Sequence, residues 1–223
     1  MKKKKKKMKK CFIKFCLIIL ILFGIGNLVY YGIGPNIKNI YVLDNNYLSD
    51  QEIIDLAGLN TYPNFYTTSS SSIKKKLKSN TLIKDIKIKK RLFNKIYIYV
   101  DEYEVLFYNQ NTSKYVLENK KEVLLDGIVV PTLINYVPDT KYNTFINKYI
   151  LLDDKVKQKI SEIKYDPNTI DEDRFFLYMN DGNYVYITLT KMELLNKYNE
   201  AITKVEGKKG TLYLDSGNYF EIR

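Results

Sequence analysis

Residues 40–59 read IYVLDNNYLSDQEIIDLAGL. Ile40 and Val42 alternate with Asn39 and Tyr41, the two-residue period of a short strand. Asp44-Asn45-Asn46 is a turn. Within Leu48-Ser49-Asp50-Gln51-Glu52-Ile53, Ser49 and Glu52 stand three apart. At that spacing each side chain accepts from the other's backbone N–H, while Leu48 is placed to staple onto Ile53. The helix runs on through Ile54 and Ala57 to Gly58, a residue type suited to the left-handed conformation that ends helices.

Next comes a serine run, Ser69–Ser72. It reads either as a linker or as the N-cap of a second short helix ending near Asn80. Ile73 and Leu77 share one helical face immediately after it, which favours the cap. Ile86 and Ile88 then alternate with lysines. Past Phe93-Asn94, the residues Ile96, Ile98 and Val100 alternate with Lys95, Tyr97 and Tyr99, predicting a hairpin around Arg91–Asn94. Lys84, Lys87, Lys89, Lys90 and Arg91 form a basic stripe opposite Ile86 and Ile88. Anionic wall polymer or lipid headgroups would complement it, and the wet face of an amphipathic strand accounts for it equally.

The order strand, helix, helix, strand, strand resembles the POTRA domain of the bacterial cell-division family FtsQ/DivIB. The resemblance is carried by Ile40-Tyr41-Val42, Asp44-Asn45, Leu48 through Ile53, Ile73 through Leu77, Leu82-Ile83, Ile86 through Lys90, and Ile96 through Tyr103. The family often has proline near Phe93 and near Val105, and this chain has neither.

Upstream lies a different kind of sequence. The chain has 36 Lys plus Arg, 25 Asp plus Glu and a net charge of +11. Nine of the lysines, at positions 2–7, 9, 10 and 14, precede Phe15; removing them leaves 27 bases against 25 acids, so the remainder is nearly neutral. The bulk-charge argument for nucleic-acid binding is thereby mostly removed. Residues 15–33, FCLIILILFGIGNLVYYGI, carry no charge. As a helix at about 1.5 Å per residue they match the hydrocarbon thickness of a bilayer. The reading is a basic cytoplasmic tail (1–14), a transmembrane helix (15–33), a POTRA-like domain (35–104) and a β-rich domain (105–223). Lys9, Lys10 and Lys14 are expected to hold the cytoplasmic membrane surface, each worth about 1 kcal/mol near anionic lipid. Tyr30 and Tyr31 are expected at the opposite aromatic belt, with everything after Gly34 outside. The rival is a cleaved signal peptide. It would need a small-x-small cleavage site, and no alanine occurs before Ala57.

The chain has no histidine and only two cysteines, Cys11 and Cys16. This excludes a histidine general base, a His-ligated metal and a disulfide framework in the body. Phe15 before Cys16 argues against a lipoprotein signal. Asp171, Glu172 and Asp173 form an acidic cluster, read as a solvated loop rather than a calcium or acid–base site. No catalytic residue, cofactor site or metal site is read from the sequence.

In the last part, strand-like runs are expected at Val105–Tyr108, Lys114–Leu117 and Glu122–Leu125. Asp153 or Asp154 is expected to cap a helix with Val156, Ile160 and Ile163 on its apolar face. Arg174–Met179 and Tyr184–Leu189 flank Asn180-Asp181-Gly182-Asn183, a strong hairpin signal. Leu195, Tyr198, Ile202 and Val205 trace one helical face, with Gly207 and Gly210 read as its end. Two strands close the sequence, Thr211–Asp215 and Tyr219–Arg223, around Ser216-Gly217-Asn218. The hairpin, Lys191 through Leu195, and Leu212 through Phe220 also resemble the outer domain of FtsQ/DivIB.

The fold class is thus α+β: a transmembrane helix, a βααββ POTRA-like domain, and a mixed β-rich domain with two helices. The last strand is expected at a sheet edge, where unpaired backbone groups invite another strand. Leu212, Leu214, Tyr219, Phe220 and Ile222 are the expected partner-binding residues, and one of Tyr219 and Phe220 must face away from the core. The resemblance implies a non-enzymatic scaffold that binds DivIC/FtsB-like and FtsL-like proteins at the division septum, with wall-synthesis proteins as a further partner class. The rivals are a membrane-anchored wall hydrolase using carboxylates and a POTRA chaperone of membrane-protein assembly.

Overall fold

The structure, a computed structural model, describes the backbone of residues 2–223 and the side chains of residues 12–223 apart from Val29 and Ile33. Helix α1 covers Lys2–Ile33. Among the described residues, Phe12–Gly32 is the one helical stretch long and apolar enough to cross a membrane, and none of it is buried against the protein. Its polar Asn27 donates to the carbonyl of Phe23, so the amide is satisfied within the helix. Tyr30 and Tyr31 meet edge to face near its end. Lys14 lies inside that stretch, in its first turn, whereas the side chains of Lys9 and Lys10 fall outside the described residues.

The chain divides into two compact units, at Glu102 and Tyr103. The first unit contains β1 (Asn39–Leu43), α2 (Asp50–Ala57), α3 (Ser70–Leu77), β2 (Ile83–Arg91) and β3 (Lys95–Glu102). The strand order is β1-β3-β2, with β1 parallel and β2 antiparallel to β3. Helices α2 and α3 lie on this sheet and bury Ile53, Ala57, Ile73 and Leu77 against Val42, Ile86, Ile96, Ile98 and Val100. The capping box at Ser49 and Glu52 is formed, and Gly58 ends α2 at φ 68°. Ser69 caps α3 through Ser71 N–H. The hairpin turn places both Phe93 and Asn94 at positive φ.

One carboxylate organises the start of α2. Glu102 is buried at the end of β3 and accepts from the N–H groups of Asn46, Tyr47 and Leu48 at 2.7, 2.8 and 3.0 Å. Three amides that the turn leaves unpaired are thereby satisfied by a charge-assisted acceptor. The basic stripe needs a correction. Lys90 stands two residues from Ile88 and four from Ile86 on a regularly paired stretch of β2, so it falls on their face and not opposite them. Its ammonium lies over the Phe65 ring and donates to the carbonyls of Phe65 and Thr68. Burial holds its pKa below the ordinary lysine value.

The second unit is built on a nine-stranded sheet. Its strands are β4 (Val105–Asn109), β5 (Lys114–Leu117), β6 (Glu122–Val123), β7 (Thr132–Leu133), β8 (Ile160–Tyr165), β9 (Arg174–Met179), β10 (Tyr184–Thr188), β11 (Gly210–Tyr213) and β12 (Tyr219–Ile222). The order across the sheet is β12-β11-β10-β9-β8-β7-β4-β5-β6. Helix α4 (Asp139–Ile150), a short α5 (Asp154–Lys157), a 3₁₀ helix (Leu189–Lys197) and α6 (Tyr198–Thr203) complete it. Phe145, Ile146 and Tyr149 of α4, with Met192, Leu195 and Tyr198, cover the inward residues Phe175, Leu177, Val185, Ile187 and Leu212.

The helix expected through Val156, Ile160 and Ile163 stops at Lys157, and Ile160 and Ile163 are buried on strand β8. Their three-residue spacing looks helical, yet a bulge between Ile160 and Glu162 turns both inward. The run from Leu189 winds as 3₁₀ before becoming α-helical at Tyr198. Gly210 does not end that helix but opens β11, where an added Cβ would lie 1.9 Å from the Glu221 carbonyl oxygen. Only glycine allows β12 that close. Helix α4 was not expected from the sequence, although Tyr142, Phe145, Ile146, Tyr149 and Ile150 follow the helical spacing.

Candidate functional site

Strands β10, β11 and β12 form one end of the large sheet. The Asp181-Gly182 turn, with Gly182 at φ 84°, joins β9 to β10 as expected. Strand β11 lies parallel to β10, which the 3₁₀ helix and α6 make possible by carrying the chain back. A buried polar cluster fixes this crossover. Asn183, fully buried, accepts from Gly210 N–H at 3.0 Å and donates to Asp181, which also accepts from the Tyr198 hydroxyl at 2.9 Å. Strand β12 returns antiparallel, pairing Tyr213 with Tyr219, Leu212 with Phe220 and Gly210 with Ile222.

Among the described residues, no strand lies on the far side of β12. The Arg223 N–H donates to the Lys209 carbonyl at 3.0 Å. Antiparallel bonding alternates along a strand, so this bond phases the ladder: Glu221 and Tyr219 turn their backbone groups toward β11. Phe220 and Ile222 turn theirs outward, into the position an added strand would occupy.

The expected partner residues separate into distinct places. Leu212 and Leu214 are 5% and 6% exposed and belong to the core cluster. Phe220 is half-buried and packs against the same core. Tyr219, on the opposite face, is 52% exposed, as is Ile222 at the strand's end. Tyr219 is therefore the ring that faces outward.

That face carries an array the sequence reading missed. Tyr219 stacks on Tyr213 at 4.7 Å, Tyr213 on Tyr186 at 5.4 Å, and Tyr186 meets Phe176 at 4.5 Å. Tyr184 and Tyr178 extend the row. The Arg174 guanidinium sits 3.7 Å from the centre of the Tyr186 ring, and Arg223 lies 4.1 Å from that of Tyr184. Arg174 is held by Asp215 at 2.9 Å and Asp166 at 3.2 Å. Burial works to raise the Asp215 carboxyl, but hydrogen bonds from Ser216 and Arg174 outweigh it and hold the pKa below the ordinary carboxylate value. The signal was available: aromatic residues occupy alternate positions of Arg174–Met179 and Tyr184–Thr188 that a strand with one wet face fills with polar ones.

The acidic cluster is engaged in its own loop. Asp171 accepts from Asp173 N–H and the Thr188 hydroxyl, and Asp173 pairs with Lys141 at 2.7 Å. That carboxylate raises the Lys141 pKa. Among the described residues no group of three or more metal-ligating side chains comes together. The site thus offers backbone hydrogen bonds, an exposed ring and the exposed Arg223 guanidinium, a set suited to gripping a peptide strand.

Residues 36–103 match the family model described as "POTRA domain, FtsQ-type". The chain is 33% identical over 214 residues to the cell division protein DivIB of Bacillus subtilis, covering 91% of this chain and 81% of that one. With DivIB of Bacillus anthracis the identity is 30% over 225 residues, or 96% and 85% of the two chains. Among solved structures it resembles the major extracytoplasmic domain of DivIB from Geobacillus stearothermophilus. There the identity is 24% and the TM-score 0.40, covering 48% of this chain and 96% of that one.

Proposed function

Because the chain belongs to the DivIB family of cell division proteins, we propose that it is a non-catalytic scaffold of the division machinery, receiving a strand from a DivIC- or FtsB-like partner along β12. In this reading an FtsL-like protein joins the same assembly, wall-synthesis proteins are further partners, and the complex is held at the septum. Helix α1 crosses the membrane once. The lysine-rich N-terminus stays in the cytoplasm, following the excess of positive charge on that side, and everything after Gly34 lies outside.

The observation that carries the partner reading is the outward-facing backbone of Phe220 and Ile222 beside the exposed Tyr219. The test is Ile222→Pro in the full chain. Proline removes an N–H that faces away from β11, so the native ladder survives while the incoming strand loses a donor. Partner affinity is expected to fall by about tenfold or more, roughly 1.4 kcal/mol. Melting should stay near that of an Ile222→Ala control that keeps the N–H. Unchanged binding by Ile222→Pro, with Ile222→Ala also binding normally, refutes strand addition at this edge.

A further inference from the structure

We propose that the tip of the β2–β3 hairpin, Leu92 and Phe93, dips into the interface of the membrane that α1 crosses, with flanking basic side chains holding anionic lipid headgroups. The inference goes beyond partner binding and rests on α1 spanning the bilayer.

Helix α1 ends at Ile33. The Asn94 side chain, next in sequence to Phe93, donates to the carbonyls of Gly34 and Asn36, each at 2.8 Å. The Lys38 N–H donates back to the Asn94 carbonyl at 3.0 Å. Asn94 is only 3% exposed, so the clamp is an internal part of the unit. The hairpin tip is thereby tied to the first residues after the span. A second contact sets the level: the Tyr66 ring lies 6.1 Å from that of Tyr30, in the last turns of α1 where an aromatic belt sits.

Leu92 is 82% exposed, Phe93 65% and Tyr66 54%. With Phe65 they line a shallow apolar depression. Hairpin turns ordinarily carry glycine, asparagine or aspartate. Here a phenylalanine occupies φ 62°, a conformation uncommon for a bulky residue. At 65% exposure most of the ring is open to something outside the fold. Lys90, turned in on Phe65 and Thr68, braces the loop that carries Tyr66.

Charge completes the match. No acidic residue occurs between Asp55 and Asp85, or between Asp85 and Asp101. Lys38 and Arg91 are exposed in this acid-free part of the unit. Apolar side chains at the tip with cations around them are the pattern by which peripheral segments bind anionic bilayers.

The protein has no tryptophan, so single tryptophans report position directly. The full chain would be placed in nanodiscs of phosphatidylglycerol and phosphatidylcholine with brominated acyl chains. Leu92→Trp and Phe93→Trp are expected to lose about half or more of their emission to the bromines, as rings at interfacial depth do. Leu92→Trp avoids the left-handed position and stands by itself should Phe93→Trp fold poorly. Asn46→Trp is the control. It follows the far end of β1, and β3, at about 3.3 Å per residue, separates the two ends of the unit by some 25 Å. It should not be quenched. Leu22→Trp reports the span. Quenching at Leu22 but not at Leu92 or Phe93 overturns the proposal and leaves the anchor standing; the tip would then be free for a protein partner. Equal quenching at Asn46 shows general adsorption and overturns it too. Absence of quenching at Leu22 removes the span and the proposal together.

Discussion

Tyr219 and Phe220 are neighbours with opposite duties. A strand alternates its side chains, so one ring must enter the core when the other leaves it. Phe220 packs on the core beneath β11, and Tyr219 extends the tyrosine row on the other face. Tyr219→Ala is expected to weaken partner binding by about 2 kcal/mol with melting nearly unchanged. Phe220→Ala is expected to cost about 2 kcal/mol of stability, less than a fully buried ring because Phe220 is only half-covered. Thermal melting and partner pull-down on both variants separate the two effects. Normal binding by both would move the partner site away from β12.

Between strands and helices, what could be read from the sequence depended on how local the determining interaction is. The Ser49–Glu52 box and the Asp181-Gly182 turn are complete within four residues, and both formed as read. Ile160 and Ile163 were misassigned because a bulge gives a strand the spacing of a helix. That bulge is set by pairing with β9, far along the chain. The outward aromatic row was missed for a related reason: each tyrosine looks ordinary until four strands align. The edge position of β12 was legible, but the division of its residues between core and surface was not, since it depends on which face the helices cover. The loop between β11 and β12 also carries a pH dependence. Asp215, held low by Ser216 and Arg174 against its own burial, favours the fold above its unfolded value of about 3.9. That contribution is lost as pH falls through the lower folded value. Acid titration should therefore loosen the β11–β12 hairpin below about pH 4, and Asp215→Asn should flatten that limb of the stability curve.

Taken across the full chain, the charge is divided as sharply as the structure. Nine lysines precede the apolar helix, and the part beyond it is close to neutral. Protease added outside intact cells is expected to remove the folded units and leave a membrane-bound N-terminal stub. Release into the medium of a protein starting near Pro35 would contradict the anchor. In the proposed reading the helix holds the membrane and β12 receives a partner. Strand β12 is fastened by a single ladder to β11. Such a strand opens locally at far lower free energy than the core, and its amides exchange with solvent through that opening. A partner that binds only the closed form slows the exchange by mass action, by about 2.7 kcal/mol at one hundred times its Kd. The phasing of the ladder gives this a signature. In the free protein the amides of Phe220 and Ile222 are bare while those of Tyr219 and Glu221 are bonded. Deuterium uptake along β12 should alternate residue by residue, and occupancy of the edge should erase the alternation.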